Sequence, residues 1–332
     1  MLTVVMYHYV RDLDRSPYQR LKALRTADFE GQLEYVLRHH TPVSAADIVA
    51  ASRGLGNLPE DACHLSFDDG FLDHFDTVFP RLEARGIPAS FYPPARAVLE
   101  RALLDVHRVQ FVLAAVEDPS ALAGEVLELV RPWRADLDLP SDGELLAAYG
   151  RPNRWDPAEV IFVKRALQRG LPEPVRAAVA AELFGRHVTQ DEAAFAARLY
   201  VDVEELRTMA RHGFEIGGHG YAHRWLEGAP RDAQAEEIER TASFLGAVGG
   251  RPPRDWAMAY PFGSYDRVTL ECLEAAGCAL GLTTRVGLVE ALDAPLELNR
   301  LDTNDLPCSP DAAPSDWTVK AGGAERPTSN AG

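Results

Sequence analysis

The sequence predicts a parallel α/β domain interrupted by a large helical insertion. Three observations carry this. Short apolar, β-rich runs alternate with amphipathic helical stretches at both ends of the chain. Residues 97–202 instead show apolar spacing of helical period and no clear strand. The residues with chemical interest fall where predicted strands end. At 332 residues, 46% of them hydrophobic, the chain can bury one large core or two ordinary ones.

Residues 2–6 form the first apolar strand, which places His8 just past its C-terminal end. Residues 11–25 are charged and read as a loop. Thr26 is the expected N-cap of a helix whose apolar face is Phe29, Leu33, Val36 and Leu37. A short helix begins at Ser44, and a Gly/Pro/Asn loop follows at residues 53–59. The next strand ends in Asp68, Asp69 and Gly70. A helix over residues 71–85, closed by Gly86, leads to a strand starting at Ile87. Within the insertion, helical faces recur at residues 109–116, 122–130, 159–168, 174–184 and 191–200. Packing or a homo-oligomer contact is their expected role. The α/β rhythm then returns. Helices are expected at residues 203–212, 233–245 and 268–276, and strands at 214–216, 255–260, 279–283 and 295–301. Beyond Pro307, Pro, Ser, Ala and Gly dominate and periodicity is lost. The expected partition is residues 1–96 and 203–306 for the α/β domain, 97–202 for the insertion and 307–332 for a disordered tail.

The formal charge of -16 argues against nucleic acid and against anionic membrane surfaces, since both need a positive footprint. Cys63, Cys272, Cys278 and Cys308 are scattered, which suits free thiols in a reducing compartment. The first apolar run is too short for a signal sequence, and no long apolar span follows. A cytoplasmic protein without stable membrane insertion is expected.

Asp68 and Asp69 are the most informative pair. Adjacent acids repel and are costly to bury unpaired. Asp-Asp-Gly is good turn chemistry. It also suits a cation held by one carboxylate while the other stays free as a base. His219 and His223 lie four residues apart in a glycine-rich turn, which brings two imidazoles to one point. Tyr260, Pro261 and Phe262 follow another strand and read either as a packing turn or as a site wall. His8 is a buried, hydrogen-bonded histidine or a catalytic one. In parallel α/β folds, sites gather at the C-terminal strand ends, where all of these residues fall. One acid, two histidines and open positions make a hydrolytic metal site. Its ion would lower the pKa of a water, a spare carboxylate would take the proton, and a histidine would protonate the leaving group.

Ser66-Phe67-Asp68-Asp69-Gly70 and Glu215-Ile216-Gly217-Gly218-His219-Gly220-Tyr221-Ala222-His223 resemble the first two motifs of the polysaccharide deacetylases, the NodB-homology or family-four carbohydrate esterases. Ala259-Tyr260-Pro261-Phe262-Gly263 resembles the third. The resemblance implies a distorted (β/α) barrel and a metal-dependent N-deacetylase acting on an amino sugar or glycoconjugate precursor. It makes Asp68 the general base and Asp69, His219 and His223 the ligands of one divalent ion. Zn²⁺ suits that set, and Co²⁺, Ni²⁺ and Mn²⁺ are compatible. Tyr260, Pro261 and Phe262 would line the groove, with the Phe262 N–H as oxyanion donor. Ala259 stands where the family often has an arginine that orients the base. Arg300, with Asp302, is the implied replacement. The family's late histidine motif is absent after residue 302, but Met6-Tyr7-His8 resembles the opening of the poly-N-acetylglucosamine deacetylase-like subgroup. On that similarity His8 is the general acid. Two rival readings are an amidohydrolase of a formamide or cyclic ureide, and a metal-free glycan-binding relic.

Overall fold

A computed structural model describes residues 1–153, 156–250 and 253–322. The chain forms two compact units. The first comprises Met1–Asp12, Ala23–Arg101 and the chain from Leu199 onward. Its strands are β1 (Leu2–Tyr7), β2 (Thr41–Pro42), β3 (Ala62–Asp68), β4 (Ala89–Tyr92), β5 (Glu215–Ile216), β6 (Trp256–Ala259), β7 (Cys278–Val286) and β8 (Leu298–Asp302). They pair in the order β5-β4-β3-β1-β8-β7-β6, with β2 also on β3, and every pairing is parallel.

The side-chain period of two explains how this sheet is coated. Val5 and Tyr7 of β1, with Cys63, Leu65 and Phe67 of β3, pack against Phe29, Leu33 and Val36 of α1 (Thr26–His39). Tyr7 is stacked on Phe67 with centroids 4.8 Å apart, and Phe29 meets both rings edge-on. Residues of the opposite parity point to the concave side. There Val4, Ala257, Ala259, Leu280, Leu282 and Leu298 form an apolar layer. His64, Ser66, Asp68, Ser90 and Arg300 are also buried. A polar interior beside an apolar layer is what a site-bearing barrel requires.

The ends of the sheet meet at Gly217 and Gly218. Gly217 donates its N–H to Phe91 of β4 at 2.8 Å, and Gly218 donates to Ala257 of β6 at 2.8 Å. Ala259 donates back to Gly218 at 2.9 Å. A Cβ at Gly217 would lie 2.4 Å from the Tyr92 ring, and one at Gly218 2.5 Å from Thr241. Only glycine permits so close a backbone approach. This seam closes the curled sheet and aims the chain after β5 across the strand ends.

The second unit comprises Leu13–Lys22 and Ala102–Arg198. Its helices include Asp105–Ala115, Pro119–Val130, Asp142–Tyr149, Ala158–Arg165 and Glu173–His187. Tyr18, Phe111, Phe184 and Phe195 form an edge-to-face aromatic cluster. Arg20 ties the 13–22 loop to this unit through the carbonyls of Ala114 and Ala115. That loop therefore groups with the helices rather than with residues 1–96. The helix Asp142–Tyr149 was not foreseen, because its apolar face is short.

Other expectations need correction. Thr26 does not cap α1: the N-cap is Arg25, and Asp12 accepts the Thr26 N–H at 3.1 Å. The stretch 71–85 is not one α-helix, since His74–Val78 is a π-turn preceding Phe79–Arg85. The stretch after Pro307 is not structureless throughout. It holds a helix at Asp316–Ala321, capped by Ser315, with Ala321 buried and Trp317 packed on the α1 core. The remainder, 323–332, lies outside the described residues. No helix among the described residues is long and apolar enough to cross a membrane, and the four cysteines are free thiols.

Phe29 joins α1 to β1 and β3 at full burial. Phe29→Ala is expected to lower stability by about 3–5 kcal/mol in chemical denaturation. A loss below 1 kcal/mol would contradict this account of the core.

Candidate metal centre

β3 carries Asp68 on its concave face and then turns sharply at Asp69, whose φ is 76°. Asp69 is pinned by its own N–H, which donates to Tyr92 at 3.1 Å. The chain leaving β5 passes the glycine seam and presents His219. His223 follows at φ 57°. Among the described residues, three of the five non-glycine positive-φ residues are Asp69, His223 and Phe262. Such conformations cost energy and persist only where the surroundings impose them.

Asp69, His219 and His223 are brought together. One ligand atom from each lies within 4.8 Å of the others, and all three side chains are buried. His219 Nε2 is 3.4 Å and His223 Nε2 3.5 Å from Asp69 Oδ1. The His219 Nδ1–H donates to the Ala259 carbonyl at 2.7 Å. In the neutral tautomer, Nε2 therefore turns a lone pair toward the Asp69 carboxylate. Two acceptors opposed at that separation repel unless a proton or a cation lies between them. Burial pushes His219 toward its neutral form, but the hydrogen bond to Asp69 and the charges of Asp68 and Asp69 outweigh it and raise its pKa. A divalent ion answers the same need with more charge, and this donor set fits one.

Asp68 is 1% exposed and faces Arg300, also 1% exposed. The pair is bidentate: Nη1 to Oδ1 at 2.9 Å and Nη2 to Oδ2 at 2.8 Å. Arg300 also donates Nε–H to Thr283 at 2.7 Å and Nη1–H to Ser66 at 3.2 Å. Burial pushes Asp68 up, yet the Arg300 charge, then His219, then the Arg300 hydrogen bond and His8 hold it below the usual carboxylate range.

The remaining expected residues divide. His8 is half-buried past the end of β1, and its charge acts on Asp68. Its carbonyl accepts the Nε2–H of buried His74 at 2.9 Å. Phe262 lies edge-on to His223 with centroids 4.6 Å apart and stacks on Trp225 at 4.6 Å. Pro261 is buried against the turn at Gly220. Tyr260 does not reach the site. Strand parity sends its ring outward onto Tyr265, where its hydroxyl donates to Leu296 at 2.8 Å. Asp302 does not orient Asp68 either. Its carboxylate caps the turn Thr303–Asp305 by accepting the Asn304 N–H at 3.0 Å. Sequence reasoning missed His74 and Trp225, which stand next to recognised motifs but match no spacing rule.

The Asp68–Arg300 pair yields a stability prediction. Arg300→Met is expected to cost about 3–5 kcal/mol at neutral pH by leaving a buried carboxylate unpaired. Because the folded state holds Asp68 below its unfolded value, the contribution is present above about pH 4 and is lost as pH falls through the depressed value. Denaturant midpoints of the two proteins should therefore converge below pH 4. A difference independent of pH would contradict this reading.

Comparison with known proteins gives three findings. A family model described as polysaccharide deacetylase matches residues 182–281. A poly-beta-1,6-N-acetyl-D-glucosamine N-deacetylase of Escherichia coli K12 is 37% identical over 90 residues, a match covering 27% of this chain and 13% of that relative's length. Among solved structures, the Streptococcus pyogenes deacetylase PplD in complex with acetate superimposes with a TM-score of 0.56 at 16% identity, covering 93% of this chain and 94% of that one. IcaB from Ammonifex degensii gives 0.55 at 19% identity, covering 96% and 95%. These likenesses show the fold, a curled parallel (β/α) barrel.

Proposed function

We propose that this chain, which carries a polysaccharide deacetylase domain, hydrolyses the N-acetyl group of an amino sugar within a glycan or glycoconjugate. The observation that carries the reading is the convergence of Asp69, His219 and His223 at a buried point beside a separately held carboxylate, Asp68. The named activity of the E. coli relative supports a β-1,6-linked N-acetylglucosamine polymer as the substrate class.

Asp69, His219 and His223 would hold a divalent cation, Zn²⁺ by their donor set, which would supply Lewis acidity at the site. Asp68 takes the proton of the attacking water. Its depressed pKa keeps it ionised at neutral pH, and the two-point grip of Arg300 fixes which lone pair faces the site. The Phe262 N–H is assigned to the oxyanion, since this residue flanks His223 in a strained conformation. His8 is assigned the proton given to the departing amine. The C–N bond breaks, acetate carries the oxygen of water, and the amino sugar leaves with the proton.

The test is acetate release from β-1,6-linked N-acetylglucosamine oligomers, with a formamide and a cyclic ureide as comparison substrates. Chelation should abolish release and Zn²⁺ should restore it. Asp69→Asn should lose bound metal and activity together. Asp68→Asn should keep the metal and lose about 10²–10⁴ in kcat. An Asp69→Asn protein with full activity, or hydrolysis of the ureide in preference to the sugar, would overturn the assignment.

A further inference from the structure

The turn that carries both histidines is gripped from behind by one buried acid. Glu237 lies on the helix Arg231–Gly249 and is 5% exposed. Its Oε1 accepts the main-chain N–H of Ala222 at 2.5 Å. Ala222 directly precedes His223 in the chain, so this bond fixes the backbone that enters the histidine. Gly220 (φ 69°) fits against the group so closely that an added Cβ would lie 3.1 Å from Glu237 Oε1. Further on, Ser264 Oγ accepts the N–H groups of Leu226 and Glu227, each at 3.0 Å, and Asp266 Oδ2 accepts that of Gly228 at 2.9 Å. Side-chain acceptors thus do here what a neighbouring strand does elsewhere.

A buried carboxylate is costly, and an αL conformation at a histidine adds to the cost. The arrangement makes sense if its purpose is the direction in which His223 points. We infer that Glu237 is the positioning residue of the metal centre, holding the His219–His223 turn so that both Nε2 atoms face Asp69. This rests on the metal-centre reading proposed above. Glu237 touches neither substrate nor ion, so its effect is on ligand geometry and therefore on affinity.

The test is equilibrium competition for Zn²⁺ between a chromophoric chelator and the full chain, alongside thermal unfolding of the metal-free proteins. Four proteins are compared: wild type, Glu237→Ala, Glu237→Gln and Thr241→Val. The last removes a buried hydroxyl, bonded to the Glu237 carbonyl at 2.7 Å, from the same helix and keeps the methyl that packs on Gly218. Glu237→Ala should weaken Zn²⁺ binding by about 10–100-fold, the usual effect of an outer partner of a metal ligand. Glu237→Gln should fall between, since its amide keeps an acceptor but turns a donor toward donors. Thr241→Val should lower the Tm and leave the affinity unchanged. If Glu237→Ala does not fold, Glu237→Gln decides. Zn²⁺ affinity equal to wild type in the folded Glu237 variants, with only the Tm reduced, would overturn this inference alone. A wild-type chain that binds no Zn²⁺ would overturn the metal reading and this inference with it.

Discussion

Three electron-pair donors are forced toward one another in a place that water scarcely reaches. Asp69 Oδ1 stands 3.4 and 3.5 Å from two imidazole nitrogens, and the carbonyl of Ala259 fixes the orientation of one of them. In water such groups would turn apart. Here the turn at Asp69, the seam at Gly217 and Gly218, and the hold of Glu237 on Ala222 prevent it. The backbone energy stored at Asp69 and His223 makes sense only if something positive compensates it.

The second acid obeys a different constraint. Asp68 is one residue from Asp69, yet strand parity sends it to the concave face, where Arg300 meets it through one hydrogen bond and a second close charge contact. Two neighbouring carboxylates are thereby given separate partners, one cationic side chain and one pair of imidazoles. The division prevents their mutual repulsion from protonating either. It also holds Asp68 apart from the triad, as the proposed base beside a proposed metal ligand requires. The polar interior of the barrel, with Ser66 and the Thr283 carbonyl on Arg300, is the supporting scaffold for that separation.

Much of this was legible in the sequence because the information is local. The Asp-Asp-Gly stop and the two histidines four residues apart are short patterns, and strands announce where they end. Arg300 was legible only through family resemblance, because its partner lies 232 residues away and no spacing rule spans that distance. Tyr260 misled because its motif neighbours, Pro261 and Phe262, do lie near the histidines. In a strand, adjacent residues point oppositely, and Ala259 had already taken the inward direction. Asp302 misled for the opposite reason: it shares the parity of Arg300 but sits at the strand's last position, where an unsatisfied N–H claims its carboxylate. Glu237 and His74 left no signal, since each looks like an ordinary helical residue until its main-chain partners are seen.

The account stands or falls on what occupies the point between those three side chains. Anomalous diffraction at the absorption edge of zinc, from crystals of the full chain, measures this directly. The expected result is one peak about 2.0–2.2 Å from Asp69 Oδ1, His219 Nε2 and His223 Nε2, with Asp68 still paired to Arg300. A peak elsewhere, or one that Asp68 also coordinates after releasing Arg300, would contradict it.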